Sequence, residues 1–209
     1  MKVIYLIFFS LLIYSCNSQE KFYQIDKSIE NDLKINKEAD EMSKFGTGNL
    51  SYYTFSNNRM EKMTNDNKLS DSDIKKMIDT TNVLLPNVCH CQFKNDTIKI
   101  SGGIFYGGGI GYQMKMTKDE FDGQIILASD SKTHKKTKDG EFIKELYLSS
   151  KNQDIRFYDE PEFKLDSFLK GKIILTSEEY FTKSSNGLEK DQMIMKILFE
   201  CKLSEYDGF

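Results

Sequence analysis

The chain has 209 residues, of which 39% are hydrophobic and 29% charged, and this suits one globular domain with its own core. Its 29 basic and 32 acidic residues give a formal net charge of −3, which does not favour a strongly charged partner. Only Arg59 and Arg156 are arginines, so the forked donors that recognise phosphates and bases are nearly absent. We therefore predict no role in binding nucleic acid.

The first sixteen residues have the pattern of an export signal. Lys2 precedes an apolar run at 3–14, which is short against the ~20 apolar residues that a membrane-spanning helix needs. The sequence Ile-Tyr-Ser-Cys at 13–16 resembles the lipobox of bacterial lipoproteins, with an aliphatic residue three before the Cys and a small residue directly before it. Tyr14 departs from the usual pattern, although lipoproteins of the Bacteroidota, which this Lys- and Asn-rich chain resembles, accept more variety there.

This resemblance implies cleavage before Cys16, lipidation of its sulfur and new amino group, and a membrane anchored through that lipid. The expected organisation is a signal peptide at 1–15, a lipidated tether at 16–22 and one globular domain at 23–209. Such a protein is exported and held at the outer membrane, facing the periplasm or the cell surface. The alternative is an ordinary secreted protein whose Cys16 stays free.

The first part of the domain, at 23–86, is predicted to be helical. Apolar residues recur at helical spacing within 23–45, which indicates an amphipathic helix. A Tyr- and Thr-rich segment at 50–55 is interpreted as a strand or an extended connection. A Ser-Asp-Ser-Asp run at 70–73 then caps a second helix, which closes at Pro86.

From residue 87 onwards the period of the apolar residues changes to two, which predicts a mainly antiparallel sheet of about eight strands, barrel-like or sandwich. The clearest element is a hairpin with arms at 98–106 and 110–116, since the three glycines at 107–109 supply the positive φ of a tight turn. The other predicted strands are 88–93, 121–128, 141–149, 154–158, 171–176 and 192–203. The fold class is therefore α+β.

Three cysteines remain once Cys16 carries lipid, and strand parity turns all three towards the core. In an oxidising compartment, Cys201 could form a disulfide with Cys89 or with Cys91, or all three could stay reduced as small buried hydrophobes. We predict no metal site, because zinc-binding cysteines are usually separated by two to four residues, and His90 in a strand would point away from both sulfurs. No cofactor is predicted either.

Two surface hypotheses follow from composition. The hairpin glycines Gly102 and Gly103 could let a ligand approach the backbone beside Phe105, Tyr106 and Tyr112, although turn and bulge glycines are the simpler interpretation. The basic run is an interaction loop for anionic head groups or polysaccharide, or else a solvated loop; its members are Lys132, His134, Lys135, Lys136 and Lys138.

The chain shows no established catalytic motif. Its paired acids are adjacent in sequence and diverge if they lie in strands, and with two histidines there are few partners for a nucleophile. The leading hypothesis is a non-enzymatic envelope lipoprotein that binds an envelope protein or a small ligand. The alternative is a hydrolase that acts on envelope polysaccharide or peptide through carboxylates brought together by folding.

Overall fold

The computed structural model describes residues 21–39, 49–57, 72, 76, 78, 79, 84–105, 107–185 and 187–205. Its centre is a closed barrel of eight antiparallel strands, in which each strand pairs with the next barrel strand along the chain and the last pairs with the first. The barrel strands are β2 (Leu50–Asn57), β3 (Leu85–Lys94), β4 (Thr97–Phe105), β5 (Gly108–Met116), β6 (Phe121–Ser129), β8 (Glu145–Phe157), β9 (Phe168–Ser177) and β12 (Met193–Lys202).

The remaining described elements lie outside the barrel. A short strand β1 (Gln24–Ile25) runs parallel to the end of β8, and one helix, α1 (Ile29–Ala39), follows it. Strands β7 (His134–Lys135), β10 (Tyr180–Ser184) and β11 (Gly187–Asp191) form a separate three-stranded sheet.

The β-rich antiparallel architecture is confirmed, and a barrel replaces the choice between barrel and sandwich. A helix-rich amino-terminal part is not shown, because α1 is the one helix of appreciable length among the described residues and β2 belongs to the barrel although it precedes residue 87. Residues 72, 76, 78 and 79 are helical, while the rest of the predicted second helix lies outside the described residues. The predicted strands at 141–149 and 154–158 are one long strand, β8, with an irregularity at 150–152.

The barrel interior is a packed core of side chains from alternate strand positions. On β12 the inward residues Met193, Met195, Ile197, Phe199 and Cys201 are each at most 3% exposed. Eight strands enclose a space that side chains can just fill, and here apolar residues from all eight strands fill it. Because the interior is filled in this way, it leaves no open cavity for a bulky ligand between the described strands.

Helix α1 covers part of the outer wall. Asp26 accepts hydrogen bonds from the amide and hydroxyl of Ser28 at 2.9 and 2.6 Å, which fixes the entry to the helix. Its buried residues Ile29 and Leu33 pack with Leu198 of β12, and burial of each such side chain contributes about 1.5 to 3 kcal/mol. The helix therefore binds the barrel through a small apolar cluster of its own.

A group of charges lies between this cover and the barrel wall. Lys172 and Lys196 project outwards from β9 and β12, yet they are only 7% and 3% exposed. Lys172 lies 3.1 Å from Asp32 of α1, and Lys196 donates to the backbone carbonyl of Asp79 at 2.6 Å. Burial, with the nearby Lys172, lowers the pKa of Lys196. The cover is thus joined to the barrel by ionic contacts as well as by apolar packing.

A disulfide between Cys91 and Cys201 closes the barrel at the place where β2 begins. Leu50 pairs with Val88 and Glu200, so beyond it β3 and β12 have no strand between them. The disulfide spans a sequence separation of 110 residues. A loop of that size corresponds to about 4 to 5 kcal/mol in the chain-entropy model.

Candidate functional site

The structure places the glycine-hairpin residues on two different faces. Gly102 and Tyr112 are cross-strand partners that face the core, and a Cβ on Gly102 would lie 2.6 Å from the Tyr112 hydroxyl. Gly103 pairs with Gly111 on the outer face, where the ring of Phe105 folds back over both. The space beside the glycines is thus occupied by the chain's own rings, while Tyr106 lies outside the described residues.

Outward positions of five neighbouring strands form two rows without a carboxylate, ammonium or guanidinium group. Strand pairing sets these rows side by side from β3 to β8. One row contains Gly103, Gly111, Ile126 and Tyr147, and the next contains His90, Ser101, Gln113, Gln124 and Ser149. We call these two rows, together with Val88 and Phe105, the neutral wall.

The neutral wall exposes large apolar side chains. Val88, Phe105 and Tyr147 are 41%, 47% and 46% exposed. Charge returns on both sides of these rows, with Lys99, Lys115 and Asp122 in one adjoining row and Glu145, whose carboxylate lies 3.4 Å from the Tyr147 hydroxyl, in the other. In a chain with 29% charged residues, two adjoining rows that contain no Asp, Glu, Lys or Arg and carry exposed aromatic rings have the composition of the centre of a protein interface.

The two ends of the barrel differ. One end, here called the entry end, is formed by the connections 117–120 and 158–167, and Lys21 packs there with Tyr23 against Glu160 and Phe163. The opposite end, called the far end, bears the β4–β5 turn and the small sheet of β7, β10 and β11. The chain therefore enters the domain at one end and presents its basic run at the other.

The predicted basic loop is partly built into that small sheet. His134 and Lys135 form β7, and Lys135 is 8% exposed with its ammonium 4.8 Å from the centre of the Phe142 ring. Burial lowers the pKa of His134, so its imidazole adds no charge near neutral pH. Lys136 pairs with Glu178 at 2.7 Å. Lys132 and Lys138 are the exposed members that form no salt bridge with any residue the structure describes. The cationic surface is smaller than the sequence suggests.

A cleft of about 320 Å³ at the entry end contains two carboxylates, Asp119 and Glu160. Glu160 accepts hydrogen bonds from Lys21 at 2.7 and 2.8 Å and from the Tyr23 hydroxyl. Its contacts with Lys21 and then Tyr23 lower the pKa of Glu160, which keeps it ionised. A carboxyl held in this state cannot serve as the general acid that glycoside hydrolysis requires.

The other paired acids also take lysine partners. Asp159 forms an ion pair with Lys27, and Glu179 pairs with Lys190 at 2.7 Å. The contact with Lys190 lowers the pKa of Glu179. These contacts are the ordinary ones of a surface rich in Lys, Asp and Glu.

Inside the barrel, Cys89 is a buried free thiol beside the disulfide. Burial raises the pKa of Cys89 to about 12, so it is protonated in the folded protein. Burial, and after it the nearby Cys89 sulfur, raises the pKa of Tyr112 well above its usual value. Strand parity predicted the inward direction of these cysteines, but it could not distinguish Cys89 from Cys91 as the partner of Cys201.

No protein family, curated protein or solved structure matches this chain significantly. No helix among the described residues has both the length and the apolar character needed to cross a bilayer. The predicted signal peptide and Cys16 lie outside the described residues.

Proposed function

We propose that this protein is a lipid-anchored, non-enzymatic binding module of the cell envelope, and that it binds a protein partner through the neutral wall. The observation that carries the proposal is the combination of two features: an outer face whose rows contain no Asp, Glu, Lys or Arg and which exposes Val88, Phe105 and Tyr147, and a barrel interior that side chains already fill. A filled interior favours recognition on the outside of the barrel over capture of a ligand within it.

The shape of the wall favours a protein over a small ligand. Five neighbouring strands spaced about 4.8 Å apart make a surface about 20 Å across, and small molecules prefer enclosed clefts. The glycines Gly103 and Gly111 carry no side chain of their own, and the Phe105 ring lies over both. A partner would therefore meet a broad surface with one aromatic ring near its middle.

The hydrolase alternative has weaker support. Hydrogen bonds and nearby cations lower the pKa of Asp26, of Glu160 and of Glu179. Acid catalysis needs a carboxyl whose pKa is displaced upwards, as burial in an apolar pocket achieves. In the entry-end cleft, the pKa of Glu160 is lowered, which is the opposite of what a general acid needs.

Site-specific photocrosslinking in intact cells tests the proposal. A photoreactive phenylalanine is placed at Phe105 or Tyr147 on the neutral wall, and at Lys99 or Lys115 in the charged row as matched controls. We expect one protein adduct of the same mass from both wall positions, none from the control positions, and its loss in the Ile126→Asp variant. The Cys16→Ala variant should leave the membrane fraction and lose the adduct. Equal adducts from wall and control positions, or none from the wall, would refute binding at this face.

A further inference from the structure

Three sulfur atoms converge inside the barrel from two strands. Cys89 and Cys91 are inward residues of β3, Cys201 is an inward residue of β12, and each is at most 1% exposed. Their sulfur atoms all lie within 4.8 Å of one another. Metal–thiolate bonds of about 2.3 Å hold three sulfurs about 4 Å apart around a trigonal ion, so modest side-chain rotation suffices once the disulfide is open.

Two buried donors, the Tyr112 hydroxyl and Asn87 Nδ2, lie beside Gly102, which is the cross-strand partner of Cys89. The strand pairs Cys89 with Gly102 and Gly102 with Tyr112 form one inward row, and Tyr112 reaches across Gly102 towards β3. The Tyr112 hydroxyl and Asn87 Nδ2 lie 2.6 and 2.8 Å from the position of a Cβ on Gly102, and neither makes a hydrogen bond of acceptable geometry, although the Ser51 hydroxyl is near Tyr112. Buried donors that lack partners cost free energy unless an acceptor is supplied.

We propose that Cys89, Cys91 and Cys201 form a redox-gated site for one cuprous ion, which binds when the Cys91–Cys201 disulfide is reduced. A dithiol donor supplies two electrons and two protons, becomes a disulfide itself, and leaves three protein thiols. Cu(I) then binds the three sulfurs and releases the thiol protons to solvent, with no change in the oxidation state of the metal. The Tyr112 hydroxyl and the Asn87 amide donate hydrogen bonds to the negative sulfurs.

The three cysteine thiolates determine which metal ion the site prefers. Thiolates are soft ligands that favour Cu(I), an ion that accepts two or three of them. Structural zinc needs a fourth ligand, and the adjacent imidazole of His90 lies on the outer face of β3, directed away from the sulfurs. The disulfide does not explain the presence of Cys89, because a disulfide needs only Cys91 and Cys201.

The test uses the full-length mature chain, reduced by a phosphine without oxygen and titrated with Cu(I) against a chromophoric Cu(I) chelator. We expect one equivalent bound by the reduced protein, none by the oxidised protein, and sulfur-to-copper charge-transfer absorption in the near ultraviolet. Cys89→Ala should weaken the affinity by 10-fold or more, and Tyr112→Phe by about 10-fold, as loss of a supporting contact typically does.

Cys89→Ala also serves as the folding control. It retains the Cys91–Cys201 disulfide, so its oxidised form should show the intact mass of one disulfide and a circular dichroism spectrum like that of the parent. Equal Cu(I) affinity of the parent and Cys89→Ala overturns the proposal. So does a disulfide that resists reduction in the folded protein, or a reduced protein that is unfolded and holds no copper.

Discussion

Two aromatic rings of this barrel occupy space that only a glycine leaves open. Phe199 of β12 packs inside the barrel on its cross-strand partner Gly171, with ring atoms 2.5 Å from the position of a Cβ. On the outer face, the Phe105 ring covers Gly103 of its own strand and Gly111 of the neighbouring strand β5, although its direct cross-strand partner is Gly109. Pairing of a glycine with a cross-strand aromatic ring allows sharp local curvature while the core stays filled. The packing of Phe199 on Gly171 affects the stability of the barrel, and the packing of Phe105 on Gly103 and Gly111 shapes the neutral wall.

Gly171→Ala should therefore destabilise the barrel by about 1 to 3 kcal/mol, the usual cost of overpacking. The new methyl group meets the rigid ring of Phe199 and also the Arg156 carbonyl, 3.2 Å away. Urea unfolding measures the change in the free energy of unfolding. In a Phe199→Leu background the same substitution should cost less, because the smaller side chain leaves room. Equal costs in the two backgrounds would contradict the pairing.

At the scale of single residues, the sequence predicts which face of a strand a side chain occupies, but not which residues that side chain contacts. Alternation correctly predicts that Cys201 points inwards. A turn at 107–109 would pair Gly102 with Met114, whereas the structure pairs Gly102 with Tyr112, so the face is predicted and the register is not. Alternation does not say where a ring leans once it leaves its strand, so the fold-back of Phe105 was not predicted. It also gives Cys89 and Cys91 the same face, and their distances from Cys201 depend on where β2 begins.

At the scale of elements, a side chain that points outwards from the barrel can still be buried, because α1 and the helical residues 78 and 79 cover part of the wall. Parity predicts that Lys196 points away from the core, and it does, yet it is buried beneath this cover. Ile174, Ile194 and Leu198 are outward apolar residues and are buried for the same reason. Apolar residues on both faces of a strand indicate that both faces are covered. That signal was present in β9 and β12 and predicts a cover, though not which segment provides it.

The entry to α1 predicts a specific acid sensitivity. Burial alone would raise the pKa of Asp26, but hydrogen bonds from the hydroxyl and amide of Ser28, with the charges of Lys172 and Arg156, outweigh it and lower that pKa below its usual 3.8. The ionised carboxylate therefore stabilises the fold above about pH 4, and this contribution is lost as the pH falls through the lower folded value.

Unfolding by urea at pH 7, 5 and 3 measures this contribution. The free energy of unfolding should fall between pH 5 and pH 3 in the parent, and Asp26→Asn, which keeps an acceptor oxygen but no titrating group, should lose less over that interval. The exposed Asp139→Asn serves as the control and should follow the parent. If Asp26→Asn and the parent lose equal amounts, the carboxylate of Asp26 is not the acid-sensitive group at this helix start.

The whole molecule has distinct sides that no single segment reveals. Helix α1 and residues 78 and 79 cover the wall of β2, β9 and β12, whereas the neutral wall faces out from β3 to β8. The order of the strands follows a rule that the sequence can predict, since each barrel strand pairs with the next barrel strand along the chain. The position of the neutral wall could not be predicted, because it depends on the register of five strands at once.

The position of the entry end determines how a lipid anchor at Cys16 would orient the domain. Four residues lie between Cys16 and Lys21, and the five steps from one Cα to the other span at most about 18 Å. Lys21 packs at the entry end, so that end should lie near the membrane, with the neutral wall at the side and the far end about 20 Å farther out. The basic run around Lys138 would then face away from the lipid, which argues against contact with head groups of the same membrane.

Fluorescence quenching on vesicles measures this orientation. The lipidated protein carries a dye on Glu162→Cys at the entry end or on Asp139→Cys beside the basic run, both exposed sites, and the vesicles carry a quencher on their head groups. Buried Cys89 and the disulfide leave the engineered thiol as the reactive one among the described residues. We expect strong quenching at position 162 and weak quenching at 139, with both lost in Cys16→Ala. Stronger quenching at 139 would mean that the basic run contacts the membrane, and equal quenching would mean that the barrel lies on its side. Either result would contradict the orientation argued here from the position of Lys21.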